Sequence, residues 1–150
     1  MKPLLKFITL SASRKLLLLK ATLVLGGVRI GLSLLSFRTL RRLLSHVAHS
    51  GDRKEIPSKS EINDIVWALG ATGRAFPTIG TCLCQALAGY AWLGSSGYST
   101  DLRIGVNHDS GGTFTAHAWL QKGDIIVVGY IGREHGRYTP FPGMRGLEPL

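Results

Sequence analysis

The segment Thr81-Cys82-Leu83-Cys84-Gln85-Ala86-Leu87 follows Phe76-Pro77-Thr78-Ile79-Gly80, a stretch that cannot continue a helix. Thr81 is a favourable N-cap residue, so a new helix is predicted to begin at Cys82. Its apolar residues recur at helical spacing, at Leu83, Leu87, Tyr90 and Ala91. A thiol in a first helical turn lies at the positive end of the backbone dipole, which favours the thiolate form. The alternative is that Cys82 is only a small buried side chain that packs in the core, the commonest role of a free cysteine.

Beyond this helix the hydrophobic period changes from that of a helix to that of a strand. Leu102, Ile104 and Val106 alternate, and Phe114 to Gln121 forms a second alternating run. One face of this second run carries Thr115, His117, Trp119 and Gln121. A tight turn at Lys122-Gly123-Asp124 then leads into the apolar run Ile125 to Val128. The pattern predicts an antiparallel meander of at least three strands.

The first part of the chain is leucine-rich and basic. The formal net charge of the chain is +9, and all of it comes from the residues before 55, where eleven cations face a single acid, Asp52. The cations there are Lys2, Lys6, Arg14, Lys15, Lys20, Arg29, Arg38, Arg41, Arg42, Arg53 and Lys54. Residues 16–37 come closest to a membrane span, but Lys20 and Arg29 interrupt them. We expect amphipathic helices, weakened at Gly26-Gly27, that pack on the domain or lie on a membrane surface.

The length of 150 residues predicts one domain. Within it we distinguish a basic helical region, 1–55, and a catalytic core, 56–150, whose first helix is expected to start at Ser60 and to stop at Gly70 or Gly73. Residues two apart on a helix point to nearly opposite sides, so Cys82 and Cys84 should remain unbridged and reduced, which favours the cytosol. No zinc-finger spacing or stacked-aromatic motif supports a nucleic-acid partner. No cofactor is expected.

Cys82 and His117 together indicate a nucleophile and its base, whereas each residue alone is a weak signal of catalysis. An imidazole within roughly 3 Å of a thiol can take its proton and later return it to a leaving amine. A cysteine that opens a helix and a histidine on the second strand of a meander is the arrangement shared by papain-like and transglutaminase-like acyl-transfer enzymes. We therefore expect an α+β fold of that kind, with N-terminal helices packed on a small antiparallel sheet.

Three segments carry a more specific resemblance: Cys82-Leu83-Cys84-Gln85-Ala86-Leu87, Leu102-Arg103-Ile104-Gly105-Val106 and Ala116-His117-Ala118-Trp119-Leu120. From about Ser60 to Pro142, with a closing Tyr138-Thr139-Pro140-Phe141, the chain resembles the standalone transglutaminase-like leader peptidase of lasso-peptide biosynthesis. The resemblance implies a cysteine peptidase that removes the leader from a ribosomally made precursor. It also implies two protein partners, a separate leader-binding protein and a macrolactam-forming cyclase.

On this resemblance Cys82 is the nucleophile, His117 is the base, and an aspartate orients the histidine. Asp124 is the nearest acid after His117. A hairpin with Lys122-Gly123 at its tip would pair His117 with Val128 and leave Asp124 roughly 13 Å away. Another acid, a backbone carbonyl or a two-residue mechanism are the alternatives. For an oxyanion, the Cys82 amide is a candidate donor and Gln85 a weaker one.

Other functions remain open at this stage. The same cysteine and histidine would serve an acyl transferase in which an amine replaces water as the acceptor. A scaffold that binds membranes or proteins through its basic helices would use Cys82 only structurally. A metal site built from Cys82, Cys84, His108, His117 or His135 is disfavoured because one residue between cysteines is short of zinc spacing.

Overall fold

A computed structural model describes residues 9–51, 55–108 and 110–140 of the chain. In these ranges four helices come first, and they precede all the strands. They are α1 (Ala12–Leu34), α2 (Phe37–His49), α3 (Lys59–Ala75) and α4 (Cys82–Ser95). The strands are β1 (Asp101–His108), β2 (Phe114–Lys122), β3 (Ile125–Val128) and β4 (Thr139–Pro140), with a 3-10 turn at Gly132–Arg137. The architecture is α+β, as expected.

The central element is α4, which contacts α1, α2 and α3 on one side and β2 on the other. It is made almost entirely of apolar and small residues, and eight of its residues are buried. The approach of α2 is close because Gly94 carries no side chain: a Cβ there would lie 2.5 Å from the Cβ of Ala48. The two N-terminal helices therefore reach the sheet mainly through α4, and they belong to the same core as the strands.

The sheet is antiparallel, with the strand order β3-β2-β1-β4. β1 and β2 pair along their whole length, so that Gly105 faces His117 and Ile104 faces Ala118. Ala118 and Leu120 of β2 join the core beneath α4, together with their partners Ile104 and Leu102. The predicted meander is confirmed, and the short β4 adds a fourth strand beside β1.

Two helix boundaries differ from the sequence prediction. The glycine pair Gly26-Gly27 does not interrupt α1, which runs unbroken to Leu34 because its buried face is held against α3 and α4. The helix expected to start at Ser60 starts at Lys59 instead. Ser58 is the N-cap and forms a capping box with Glu61. This helix continues past Gly70 and Gly73 to Ala75.

α1 is also the one helix in the described ranges that is long and apolar enough to cross a membrane. Its mean hydropathy over the best window is 1.7, and 17% of that window is buried inside the molecule. Its buried residues are Ala21, Leu25 and Val28. The expected regions 1–55 and 56–150 include residues 1–8, 52–54, 109 and 141–150, which lie outside the described part, as does Phe141 of the closing segment.

Candidate active site

Cys82 is the first residue of α4, as the sequence predicts. Thr81 is the N-cap, and its hydroxyl accepts a hydrogen bond of 3.3 Å from the amide of Cys84. The amides of Cys82 and Leu83 point out of the same helix end, where no preceding helical carbonyl can pair with them. Cys82 itself is half-buried. A partly accessible cysteine beside two outward-pointing amides is a suitable place for an acyl group whose oxygen becomes negative.

The loop before Cys82 is held by Gln85. Its side-chain amide donates a 2.7 Å hydrogen bond to the carbonyl of Gly80. Gly80 in turn packs directly on the end of α3, since a Cβ on it would lie 2.3 Å from the Cα of Gly73. Gln85 is half-buried, and its hydrogen bond to Gly80 positions the loop. In this structure its amide binds the Gly80 carbonyl, whereas the sequence had suggested it as a weaker candidate for an oxyanion donor.

Cys84 has a different environment from Cys82. It is fully buried in the core, whereas Cys82 only packs against the edge of that core. Both thiols are free. The expected absence of a bridge between them is confirmed, and Cys84 is structural.

His117 lies in β2 and is 8% exposed. Its Nε2 donates a 2.7 Å hydrogen bond to the carbonyl oxygen of Gly129, just after β3. The ring stacks on Trp119 with a centroid distance of 6.0 Å, and Tyr138 lies 5.5 Å away on a tilted plane. Because a carbonyl can only accept, Nε2 carries the proton, and the basic lone pair of a neutral ring is on Nδ1.

Asp124 does not come near this ring. It is exposed at the tip of the β2–β3 hairpin, where Lys122 pairs with Ile125. His117 is five residues before Lys122, so the tip is roughly 16 Å away along the strand. The tip is Gly123-Asp124 rather than Lys122-Gly123, and a register irregularity pairs Val128 with Leu120 instead of His117. The group bound to Nε2 is the Gly129 carbonyl, one of the alternatives the sequence left open.

Two contacts show how α4 and β2 are oriented. At their C-terminal ends, Lys122 Nζ lies 3.9 Å from the ring centroid of Tyr98, which follows α4. Further back, a Cβ on Gly89 would lie 2.9 Å from Leu120 Cδ1. The helix and the strand therefore run in the same direction. Cys82 lies about 10 Å before Gly89 along the helix, and His117 lies about 10 Å before Leu120 along the strand. The two residues are therefore at a similar height in their elements.

The two side chains nevertheless start from different faces of the packing between α4 and β2. Ala118 and Leu120 point into the core under α4, whereas the neighbouring His117 and Trp119 point to the other face of the strand. Direct contact between Cys82 and His117 stays a prediction.

Trp119 forms part of the wall beside His117 and is itself buried. Its Nε1 donates to the Gln121 side chain at 3.0 Å. Tyr138 closes the other side of the ring, and its hydroxyl donates to Thr115 at 3.3 Å. The sequence had no local signal for the roles of Tyr138 and Gly129, because both come from segments remote from His117 in the chain.

No group of three histidine, cysteine or acidic side chains in the described part of the chain is placed to hold a metal ion. The side chain of His135, one of the candidate ligands, lies outside that part. Among the others, Cys84 is buried in the core while His108 is exposed and packs edge-on against Phe114.

Comparison with known proteins gives a family. Neither the curated proteins nor the solved structures contain a significant match to this chain. The family model of the transglutaminase-like superfamily matches residues 23–142, which include the second half of α1, all of α2 to α4 and the whole sheet. With the cysteine at the start of a buried helix and the histidine on an adjoining antiparallel strand, the chain belongs to the transglutaminase-like superfamily.

Proposed function

We propose that this protein is a cytosolic cysteine peptidase that removes the leader from a lasso-peptide precursor, with Cys82 as nucleophile and His117 as general base. The observation that carries the proposal is the half-buried cysteine at the first residue of α4, in a chain of the transglutaminase-like superfamily. The helix end favours the thiolate, and the outward-pointing amides favour the oxyanion. One effect favours the attacking sulfur and the other the oxygen of the carbonyl group that it attacks.

The proposed reaction has two steps. The Cys82 sulfur bonds to the scissile carbonyl carbon, the C–N bond breaks, and the amine leaves with the proton that His117 took from the thiol. A water molecule then attacks the thioester. It gives one proton to His117, and the Cys82 thiol is restored as the new carboxylate departs. The amides of Cys82 and Leu83 stabilise the oxyanion in both steps.

The role of His117 is supported by the hydrogen bond from Nε2 to Gly129. This bond holds the proton on Nε2 and keeps Nδ1 as the nitrogen that accepts a proton from the thiol. In enzymes of this kind the bond between nucleophile and base is often long without substrate and shortens in the complex. Because His117 points to the face of β2 that turns away from α4, the proposal requires the ring or the start of α4 to move when the precursor binds, so that the sulfur and Nδ1 meet.

We further propose that a separate leader-binding protein delivers the precursor and that a macrolactam-forming cyclase takes the freed core peptide. An acyl transferase is the second candidate, because the thioester would react equally with an amine that reached it. A non-catalytic scaffold is the third. The fate of the acyl group and the effect of removing the Cys82 sulfur distinguish these three candidates.

The first test is mass spectrometry of a candidate precursor incubated with this chain, with the leader-binding protein, and with both. We expect hydrolysis of the bond between the leader and the core peptide. Cleavage should be slow with the chain alone and fast when the leader-binding protein is also present. Cys82→Ala should abolish cleavage, while the matched Cys84→Ala should retain it. An amide product with an added amine would identify a transferase, and full function of Cys82→Ala would identify a scaffold.

The second test measures the link between Cys82 and His117 directly. The rate of Cys82 alkylation by iodoacetamide should fall in His117→Gln if the ring takes the thiol proton. The variant Thr115→Val, which removes the acceptor of the Tyr138 hydroxyl and leaves the His117 ring in place, is the control and should alkylate at the wild-type rate. Equal rates in all three proteins, with and without precursor, would remove His117 from the mechanism.

A further inference from the structure

The outer side of α1 carries a continuous apolar stripe. Its residues recur at intervals of three, four and seven positions, which places them on one line of the helix. Each is between 57% and 77% exposed. We call this set the α1 stripe: Leu16, Leu19, Leu23, Ile30 and Leu34. Its first and last members are 18 positions apart, so the stripe is about 27 Å long.

The two helices that include this stripe are strongly basic. Between residues 12 and 49, which span α1 and α2, the chain has seven lysines and arginines and no acidic residue. They are Arg14, Lys15, Lys20, Arg29, Arg38, Arg41 and Arg42. An exposed aliphatic stripe on a basic segment without acidic residues matches the two layers of an anionic bilayer surface, acyl chains below and phosphates above.

The opposite side of α1 is fixed to the rest of the molecule. Ala21, Leu25 and Val28 are buried in the common core. Two cation–π contacts add to this attachment: Arg14 lies 5.1 Å from the Trp67 ring on α3, and Lys20 lies 4.6 Å from the Trp92 ring on α4. Crossing a membrane would strip these contacts and place Lys20 and Arg29 in hydrocarbon. Lying flat on the surface leaves them intact.

We propose that α1 docks the protein on an anionic phospholipid bilayer, with the helix parallel to the membrane and the α1 stripe in the interface. A second copy of the chain is disfavoured because it would bring two wholly cationic helical regions together. A specific protein partner is disfavoured because the stripe is purely aliphatic, whereas the residues that dominate protein interfaces are Trp, Tyr and Arg. This inference does not depend on the proposed peptidase activity.

Gly27 makes a gain of binding testable. It lies on the α1 stripe, roughly 40° around the helix from Leu23, and a Cβ there would meet nothing within 4 Å. Gly27→Leu therefore extends the stripe without a clash. Ser33 is exposed on the same helix but lies roughly 80° from Leu23, outside the stripe. Ser33→Leu adds the same side chain and serves as the matched control.

The experiment is flotation of the full chain with phosphatidylcholine vesicles, with and without phosphatidylglycerol, at low and high salt. We expect binding only to the anionic vesicles, with release by high salt or by alkaline carbonate. The pair Leu19→Gln with Leu23→Gln should weaken partitioning by about tenfold or more. Gly27→Leu should strengthen it clearly more than Ser33→Leu. Circular dichroism melting of each variant checks that folding is preserved.

Several outcomes would overturn the proposal. Binding to neither vesicle, or equal binding to both, would remove the anionic surface as the partner. Resistance to carbonate, with α1 protected from added protease, would show a membrane span. A dimer in light scattering that disappears in the double glutamine variant would assign the stripe to a second copy.

Discussion

The Nε2 of His117 donates a 2.7 Å hydrogen bond to the carbonyl oxygen of Gly129, twelve residues further along the chain. Gly129 has a φ of +90°, and a Cβ on it would lie 3.0 Å from the Ala118 carbonyl oxygen and 3.1 Å from the Trp119 Cα. Only glycine adopts this conformation at so close an approach to β2 without strain. A backbone carbonyl can thus orient the ring where an aspartate was expected.

Gly129→Ala should therefore damage both the fold and the site. We expect a loss of about 2–4 kcal/mol in the free energy of unfolding, from the unfavourable φ and the tight contacts with β2. The carbonyl should also shift away from His117, and the alkylation rate of Cys82 should fall. Urea denaturation and iodoacetamide labelling measure the two effects.

Gly123→Ala is the control for this prediction. Gly123 also has a positive φ, +58°, but a Cβ there would meet nothing within 4 Å. It should cost only about 1 kcal/mol and leave labelling unchanged. Equal losses from the two variants would contradict the role given to the approach of Gly129 to β2.

Substitution of Cys84 should lower stability, whereas substitution of Cys82 should remove activity. Cys84→Ser places a hydroxyl in the apolar core and should cost about 1–3 kcal/mol while turnover of the folded enzyme persists. Cys82→Ala should change stability by less than about 1 kcal/mol and abolish turnover. Thermal melts and precursor cleavage are the measurements. A Cys82→Ala variant that still cleaves would end the nucleophile assignment.

The contact between Gly80 and Gly73 should tolerate no added side chain. Gly80→Ala would drive a methyl group into the α3 backbone, so we expect a loss of about 3 kcal/mol or more in urea denaturation. Gly27→Ala, in open space on α1, should instead stabilise the protein by up to about 1 kcal/mol. If both substitutions stabilise, the loop before Cys82 does not pack as described.

The Thr81 cap should be worth about 1 kcal/mol, because its hydroxyl satisfies the Cys84 amide. Thr81→Val keeps the shape and removes the acceptor, so it should lower the melting temperature and slow Cys82 alkylation. Thr81→Ser keeps the acceptor and should behave as wild type. A Thr81→Val protein that melts at the wild-type temperature would show that the cap contributes nothing.

The sequence by itself determined the local features on which this site depends. The start of α4 at Cys82, its Thr81 cap and the alternation along β2 follow from a few adjacent residues, because capping and pleating are set by near neighbours. Neighbouring residues also predicted the hairpin after β2, although its tip lies one residue further along the chain than predicted.

Only the tertiary structure decided which groups surround these residues. The pairing of His117 with the Gly129 carbonyl, the anchoring of Gly80 by Gln85 and the continuity of α1 through Gly26-Gly27 depend on how separate elements pack. So does the division of α1 into a buried face and an exposed stripe. These outcomes depend on long-range packing, which offsets local preference and leaves little trace in the residues nearby.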